Sequence, residues 1–378
     1  MSTEPNDPMP FLAPQELRRD TDGREVDPSR GLLRGEGAAQ KVRTPEPHPG
    51  HLAPTEIETG ATTPTYHGLP VLQEPVWIWA VPTYFFVGGA AGAASVLGAA
   101  SLVAGGPTLE RLEKRCRRLG LGGDLVSSVL LIVDLGRPDR FLNMLRVFRP
   151  TSPMSVGAWI LAFSGAANTV GFLLGSRRGL PGTVGRLGVA AGGGLGALLA
   201  SYTGVLLANT AVPLWQATRR ELPILFVGSG MASAGALLEL FPDSGASRKV
   251  THWYGSIGKA VALAAMVAME RVAPRAPRVT EPLRRGPTGM LWRGGLVLTA
   301  AGLVLSGLGN KSRARERLAS VVTLAGALLT RFGIFEAGKR SARDPRATFE
   351  GQRAGMGAAE LSRAPDPRPA AFKLPVIR

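Results

Sequence analysis

Few side chains that can hold or pass a proton fall inside the long apolar stretches of this chain, and they mark where chemistry could be done. In LLIVDLGRPDRFLNMLRVFRPTSPMSVGAW, Leu130 to Trp159, an apolar run leads directly into the carboxylate of Asp134 and then a Gly136-Arg137-Pro138 corner. A short basic loop follows, and Ser152-Pro153-Met154-Ser155 opens the next apolar segment. An acid at the end of a membrane helix is costly to place, so Asp134 is a functional candidate by default. Its side chain is too short to snorkel far toward water. Tyr84 and Tyr202 lie within other apolar runs, where the plain alternative is a tyrosine of the interfacial belt. Asp124, Glu239, Lys259 and Glu270 are protonatable groups that could together form a proton route. Charges marking helix boundaries are the simpler reading for them.

The elements that must position these residues are helices. Of 378 residues 45% are hydrophobic and 19% charged, with 49 glycines, and the charges cluster between apolar stretches. That pattern is an all-α, polytopic membrane bundle. Eight spans are predicted, at 76–103, 118–136, 154–175, 186–211, 222–241, 256–272, 291–309 and 317–336. Each approaches the ~20 residues that cross ~30 Å of hydrocarbon, the second and sixth being short and charged. Short connections favour antiparallel neighbours, and glycine runs such as Gly192-Gly193-Gly194 let helix backbones approach closely. Residues 1–75 and 339–378 read as disordered tails, the second basic. No basic region followed by an apolar stretch marks a cleavable signal peptide.

An even number of spans puts both tails on one membrane face, here face A. Asp134 then ends the second span at face A, Tyr202 lies in the second half of the fourth, and Glu270 with Arg271 ends the sixth. Arg331 is in the last third of the eighth, and Tyr84 sits about 12 Å deep in the first. Arg271 and Arg331 are expected to snorkel or pair across helices. Trp77, Trp79 and Trp215 mark the face A boundary, and Pro82 should bend the first helix and free a carbonyl. Toward face B lie Asp124 at the start of the second span, Glu239 at the end of the fifth and Lys259 at the start of the sixth. Lysines and arginines are nearly balanced between the faces, so they do not orient the bundle.

Composition also excludes functions. One cysteine, Cys116, cannot hold an iron–sulfur cluster or form an internal disulfide. Of four histidines three lie in the N-terminal tail, so neither a bis-histidine haem nor any other resident metal is expected. The net charge of +16 is spread over every loop and no nucleic-acid-binding motif is present, so no nucleic-acid partner is expected.

Several motifs then coincide. Trp77-Ile-Trp79 with Tyr84-Phe-Phe-Val-Gly-Gly-Ala-Ala-Gly92, Asp134-Leu-Gly-Arg-Pro138, and Ser152-Pro-Met-Ser155 with Gly157-Ala-Trp159 come in that order. Tyr202-Thr-Gly-Val-Leu-Leu207, Val212-Pro-Leu-Trp215, Leu222-Pro-Ile-Leu-Phe226 and Arg331 through Ala337-Gly338 complete the set. The chain resembles the NrfD/PsrC family, the integral membrane subunits of polysulfide-reductase-like and related respiratory complexes. The resemblance covers all eight predicted spans.

It implies a subunit of the bacterial cytoplasmic membrane that takes menaquinone or ubiquinone as an exchangeable substrate and has no metal or haem of its own. It implies a ferredoxin-like iron–sulfur partner docked on the face of the quinone site, and through it a catalytic or cytochrome subunit. The family's site lies among the first four helices, where Tyr84, Asp134 and Tyr202 fall; Arg137 would brace the corner or contact the partner. Some family members carry histidine at the position of Tyr84. Quinone reduction takes up two protons with two electrons, so a hydrogen-bond donor and a protonatable carboxylate beside the ring are the expected groups. The competing readings are an eight-helix transporter or proton channel, which should show broken helices near the midplane and related halves, and a purely structural membrane anchor.

Overall fold

Backbone amides buried among apolar side chains have no water to bond to, and the chain meets that demand with helices. The computed structural model describes residues 25–27, 32–34, 71–136, 138–241, 245–271, 277–307 and 312–353. The eight long helices among the described residues are α1 (Ala80–Ala104), α2 (Pro107–Leu135), α3 (Pro153–Leu174), α4 (Gly179–Ala208), α6 (Glu221–Glu239), α7 (Gly245–Glu270), α9 (Gly286–Gly307) and α10 (Arg313–Arg343). Three short ones are α5 (Pro213–Ala217), α8 (Pro277–Arg284) and α11 (Pro345–Arg353), and a 3-10 segment covers Pro138–Leu145. Apart from these, Glu25–Asp27 and Leu32–Arg34 pair as an antiparallel hairpin, Val26 opposite Leu33, in a separate N-terminal unit. The rest of the expected N-terminal tail up to residue 70, and residues 354–378, lie outside the described residues.

Six helices, α1, α3, α4, α6, α9 and α10, are long and apolar enough to cross a membrane, and the chain is a multi-pass membrane protein. The second and sixth predicted spans fall on α2 and α7. Both are long enough, but they begin earlier than expected, with charged turns that include Glu110 to Arg118 in α2 and Arg248 and Lys249 in α7.

Neighbouring helices run antiparallel. The approach to α1 meets the end of α2 where Ile78 N donates to Asp134 Oδ1 at 3.0 Å. The end of α7 meets the start of α9 where Trp292 Nε1 donates to Glu270 Oε1 at 3.2 Å. α1 is central, packed on α2, α4, α6 and α10. It can be, because its residues are small: a side chain on Gly92 would run into the carbonyl of Gly196 on α4, and one on Gly230 of α6 into that of Gly89. Dispersion between backbones in such close crossings is what holds helices together in lipid.

Two boundaries differ from the sequence reading. α1 begins at Ala80, so Pro82 falls in its first turn, where its nitrogen needs no intrahelical partner and the expected cause of a bend is removed. At the other end α10 runs past Gly338 to Arg343 and α11 continues to Arg353. This stretch packs on the bundle: Ala342 and Ala347 are fully buried, and Leu214 N donates to Ser341 Oγ at 3.3 Å. An Arg- and Ala-rich composition concealed these small buried residues.

The chain entering α1 is strapped to α10. Arg343 grips Glu74 with both nitrogens of its fork, Nη2 to Oε1 at 2.8 Å, Lys339 lies 3.4 Å from the same oxygen, and Lys339 Nζ donates to the carbonyl of Trp77 at 3.0 Å. Burial alone would raise the Glu74 carboxyl, but the hydrogen bond and charge of Arg343, with Lys339, hold it below the ordinary glutamate range. A lowered pKa makes the strap fully effective above the ordinary value, ~4.3, and weakens it as pH falls through the lower folded value. The protection of the Ile78 and Trp79 amides, taken as exchange rate against the intrinsic rate at each pH, should therefore fall on acidification through that window, by a step of about 1 kcal/mol or less for a partly exposed pair. Glu74→Gln should remove the pH step; a step of the same size in that variant would assign it to another group.

Candidate functional site

Asp134 ends α2, and Gly136 after it adopts a φ of +68°, the left-handed conformation that closes a helix and that glycine takes without strain. Because α1 starts only at Ala80, the amide of Ile78 needs a partner outside the helix, and Asp134 supplies it. Arg137 lies outside the described residues. The 3-10 segment then leads to Ser152, whose hydroxyl caps α3 by accepting from Ser155 N at 3.4 Å. Ser155 Oγ in turn accepts from Arg149 N at 3.0 Å and so ties the basic loop to the helix start.

Tyr202 comes down onto the same corner. Its phenol donates to the carbonyl of Pro153, and Gly157, one turn on, leaves the room its ring occupies. The Ser-Pro-Met-Ser and Tyr-Thr-Gly motifs are thus two halves of one α3–α4 contact. Tyr84 is buried in the second turn of α1, in the same buried cluster as Tyr202, Leu130 and Leu161. A methyl group on Gly88 would touch both the Tyr84 ring (3.2 Å) and Ser127 Oγ of α2 (3.3 Å), so those two groups flank one gap.

Asp124 is the main correction to the sequence reading. It was expected at a helix start near face B, but α2 begins at Pro107, so Asp124 is well inside the helix and 2% exposed. Its Oδ2 accepts from Ser164 Oγ at 2.9 Å and Asn168 Nδ2 at 2.7 Å, and Ser95 Oγ lies 3.1 Å from that amide nitrogen. Its Oδ1 and the hydroxyl of Ser127 are buried without a hydrogen-bond partner among the described residues. Three helices therefore contribute to a polar layer that adjoins Tyr84 through Ser127. Asp134 stands two turns along α2 from Ser127, about 10 Å toward face A. The sequence reading passed over Ser95, Ser127, Ser164 and Asn168. Ser164 and Asn168, four apart on an otherwise apolar helix and so on one face, were the available signal.

The other candidates are spread out. Arg331 does not snorkel and forms no ion pair among the described residues: it is 1% exposed, its guanidinium lies 3.6 Å over the Phe226 ring, and Nη2 donates to the carbonyl of Phe226 at 2.9 Å. Its Nε and Nη1 have no hydrogen-bond partner among the described residues. Glu270 is exposed and holds Trp292, and Arg271 is exposed beside it. Lys259 is buried within α7 rather than at its start and donates to Ser306 Oγ at 2.6 Å. Glu239, at the end of α6, lies 3.3 Å from His252 Nδ1. Trp79 is exposed as an interfacial residue should be, but Trp215 is fully buried, stacked on Trp77 at 6.2 Å and bonded to the carbonyl of Ile334 at 3.0 Å.

The α1–α4 corner thus holds a carboxylate oxygen and a hydroxyl without partners among the described residues, with Tyr84 and the already bonded Tyr202 in the same apolar bundle. Buried polar groups left unsatisfied this way are filled by water or a ligand. A family profile described as NrfD_2, polysulfide reductase, matches residues 63–343, from ahead of α1 through the end of α10. The chain belongs to the NrfD-type polysulfide reductase family. The matched region holds every residue of the polar layer, together with Asp134 and the strap formed by Glu74, Lys339 and Arg343. None of the curated proteins compared with the chain matches it. As a member of the NrfD family the chain is a multi-pass membrane protein whose apolar helices suit a membrane subunit of a reductase.

Proposed function

We propose that this chain is the quinone-interacting subunit of a multi-subunit respiratory oxidoreductase in the bacterial cytoplasmic membrane, with α2 and α7 as the seventh and eighth spans. The observation that carries this reading is the polar layer itself: Asp124 Oδ1 and Ser127 Oγ, buried and unpartnered among the described residues, with Ser127 close to Tyr84, and Tyr202 in the same buried cluster as Tyr84. A quinone accepts two electrons and two protons, and its head group carries two carbonyl oxygens that need donors. Tyr84 would donate to one such oxygen. Asp124 and Asp134 would hold protons at two depths between the layer and face A. One cysteine cannot supply a cluster, so electrons would come from a ferredoxin-like iron–sulfur subunit and through it a catalytic or cytochrome subunit. That accords with a family whose membrane subunits partner other redox subunits. Coupled proton movement is the further part of this reading, with buried Lys259, and Glu239 nearer face B, as its protonatable groups.

Binding of a quinone analogue to the purified complex tests the proposal. Tyr84→Phe should weaken it about tenfold, the worth of one hydrogen bond at an apolar site. Asp134→Asn should leave assembly intact, because the amide oxygen still accepts from Ile78 N, while quinol-linked turnover falls sharply. Wild-type turnover in Asp134→Asn would remove Asp134 from the site. Failure of the wild-type complex to bind the analogue would overturn the proposal as a whole.

A further inference from the structure

At face B, away from the polar layer, a cleft opens where α6 ends and α7 and α10 begin. It encloses about 540 Å³, open solvent included. Three arginines line it, Arg248 from α7 and Arg313 and Arg317 from the first turns of α10. The two carboxylates in its walls are already engaged. Glu316 is paired with Arg248, and Glu239 lies 3.3 Å from His252 Nδ1 and 3.4 Å from the Ser320 hydroxyl. Among the described residues Arg313 and Arg317 have neither a carboxylate nor a hydrogen-bond partner. They stand four residues apart, on one face of α10. The free amides of the helix start add positive potential there. Two planar guanidiniums so placed can hydrogen-bond a phosphate from two sides.

The surroundings indicate which phosphate. α6 and α10 are both helices long and apolar enough to cross a membrane, and the cleft joins their ends, which puts it at the boundary between water and hydrocarbon. Phe241 lines the cleft and is 63% exposed, and Trp253, next to His252, is 65% exposed. One turn or so deeper, Ile257 on α7 and Leu318 and Val321 on α10 also turn apolar surface outward. A soluble phosphate would leave that surface uncovered, whereas acyl chains would lie along it. The walls favour a headgroup of net negative charge, since among the described residues lining the cleft three arginines face two carboxylates, both already engaged.

We propose that this cleft is a binding site for an anionic phospholipid, its phosphate held by Arg313 and Arg317 and its acyl chains laid along α7 and α10. The test is a titration of detergent-solubilised full-length protein with short-chain phosphatidylglycerol, read as a rise in unfolding temperature. Phosphatidylcholine of the same chain length and free glycerol phosphate serve as the other arms. Phosphatidylglycerol alone should raise the unfolding temperature. The Arg313→Gln/Arg317→Gln double variant, altered only at exposed positions, should bind it about thirty-fold more weakly, at the usual contribution of one basic side chain near an anionic lipid. Arg346→Gln, exposed at the opposite face, should behave as wild type. The proposal is overturned if phosphatidylglycerol has no effect, if phosphatidylcholine equals it, or if the double variant responds like wild type. An equal response to glycerol phosphate would overturn it as well and make the cleft a site for soluble anions.

Discussion

Asp124→Asn is expected to lower quinone-linked turnover by ~100-fold or more, the usual contribution of a positioned acid–base group, while the protein still assembles in the membrane. The amide oxygen can replace Oδ2 as acceptor for Ser164 and Asn168, so the contacts among α1, α2 and α3 survive. What disappears is the titrating oxygen, Oδ1, buried without a partner among the described residues and one turn along α2 from Ser127. Hydrogen bonds between membrane helices average only ~0.6 kcal/mol, so even imperfect replacement should leave the unfolding temperature close to wild type. Asp124→Leu is the contrasting variant: it leaves the Ser164 and Asn168 donors without an acceptor and should lose both stability and activity. The measurement is quinol-linked turnover per assembled complex, with assembly followed by size-exclusion chromatography. Wild-type turnover in Asp124→Asn would make Asp124 a structural hydrogen-bond hub and leave proton handling to Asp134.

Gly92→Leu should cost the folded protein outright. A Cβ at this position meets the carbonyl of Gly196 and comes within 3.0 Å of Ala200 N, so the obstacle is backbone and no rotamer change can relieve it. α1 and α4 would have to separate. Overpacking in a tight core costs about 1–3 kcal/mol, and separation also forfeits the dispersion contacts of the crossing. Tyr84 on α1 would move away from Tyr202 on α4 at the same time. Gly194→Leu, on the same helix as Gly196 but exposed with nothing within 4 Å, is the matched control and should be tolerated. The readouts are monodisperse yield and unfolding temperature in detergent. A monodisperse Gly92→Leu protein melting like wild type would show that the crossing is looser than this geometry.

How much of the site could be read from sequence varied with the kind of residue. The position of Asp134 at the end of α2 was legible, because a carboxylate at the end of an apolar run is conspicuous; the Ser-Pro-Met-Ser and Tyr-Thr-Gly motifs were legible too, but not their contact. Asp124 was visible but misplaced. The charged turns from Glu110 to Arg118 interrupt the hydropathy of α2, so the apolar segment seemed to begin near Asp124 and made it look terminal. Ser127, Ser164 and Asn168 were overlooked because small polar residues are common in membrane helices and carry no signal until another helix supplies a partner. Arg331 was expected to reach for water; instead it finds a ring and a carbonyl on Phe226, 105 residues away in the chain.

By itself the sequence determined the class and the segments. Crossing hydrocarbon takes a minimum run of apolar residues with every amide bonded internally, and that local requirement is written in consecutive positions. It also determined the corners, since a glycine after Asp134 and a serine before Pro153 end and begin helices through their own backbone and side chains. Only the tertiary structure decided which polar groups meet. Helices that are apolar on every side can pack in many rotations, and what selects among them is the close fit of glycine against backbone at crossings such as Gly92 with Gly196. That rotation turns Asp124 toward Ser164 and Asn168 and brings Ser127 near Tyr84, and it leaves Asp134 at the rim holding the amide of Ile78.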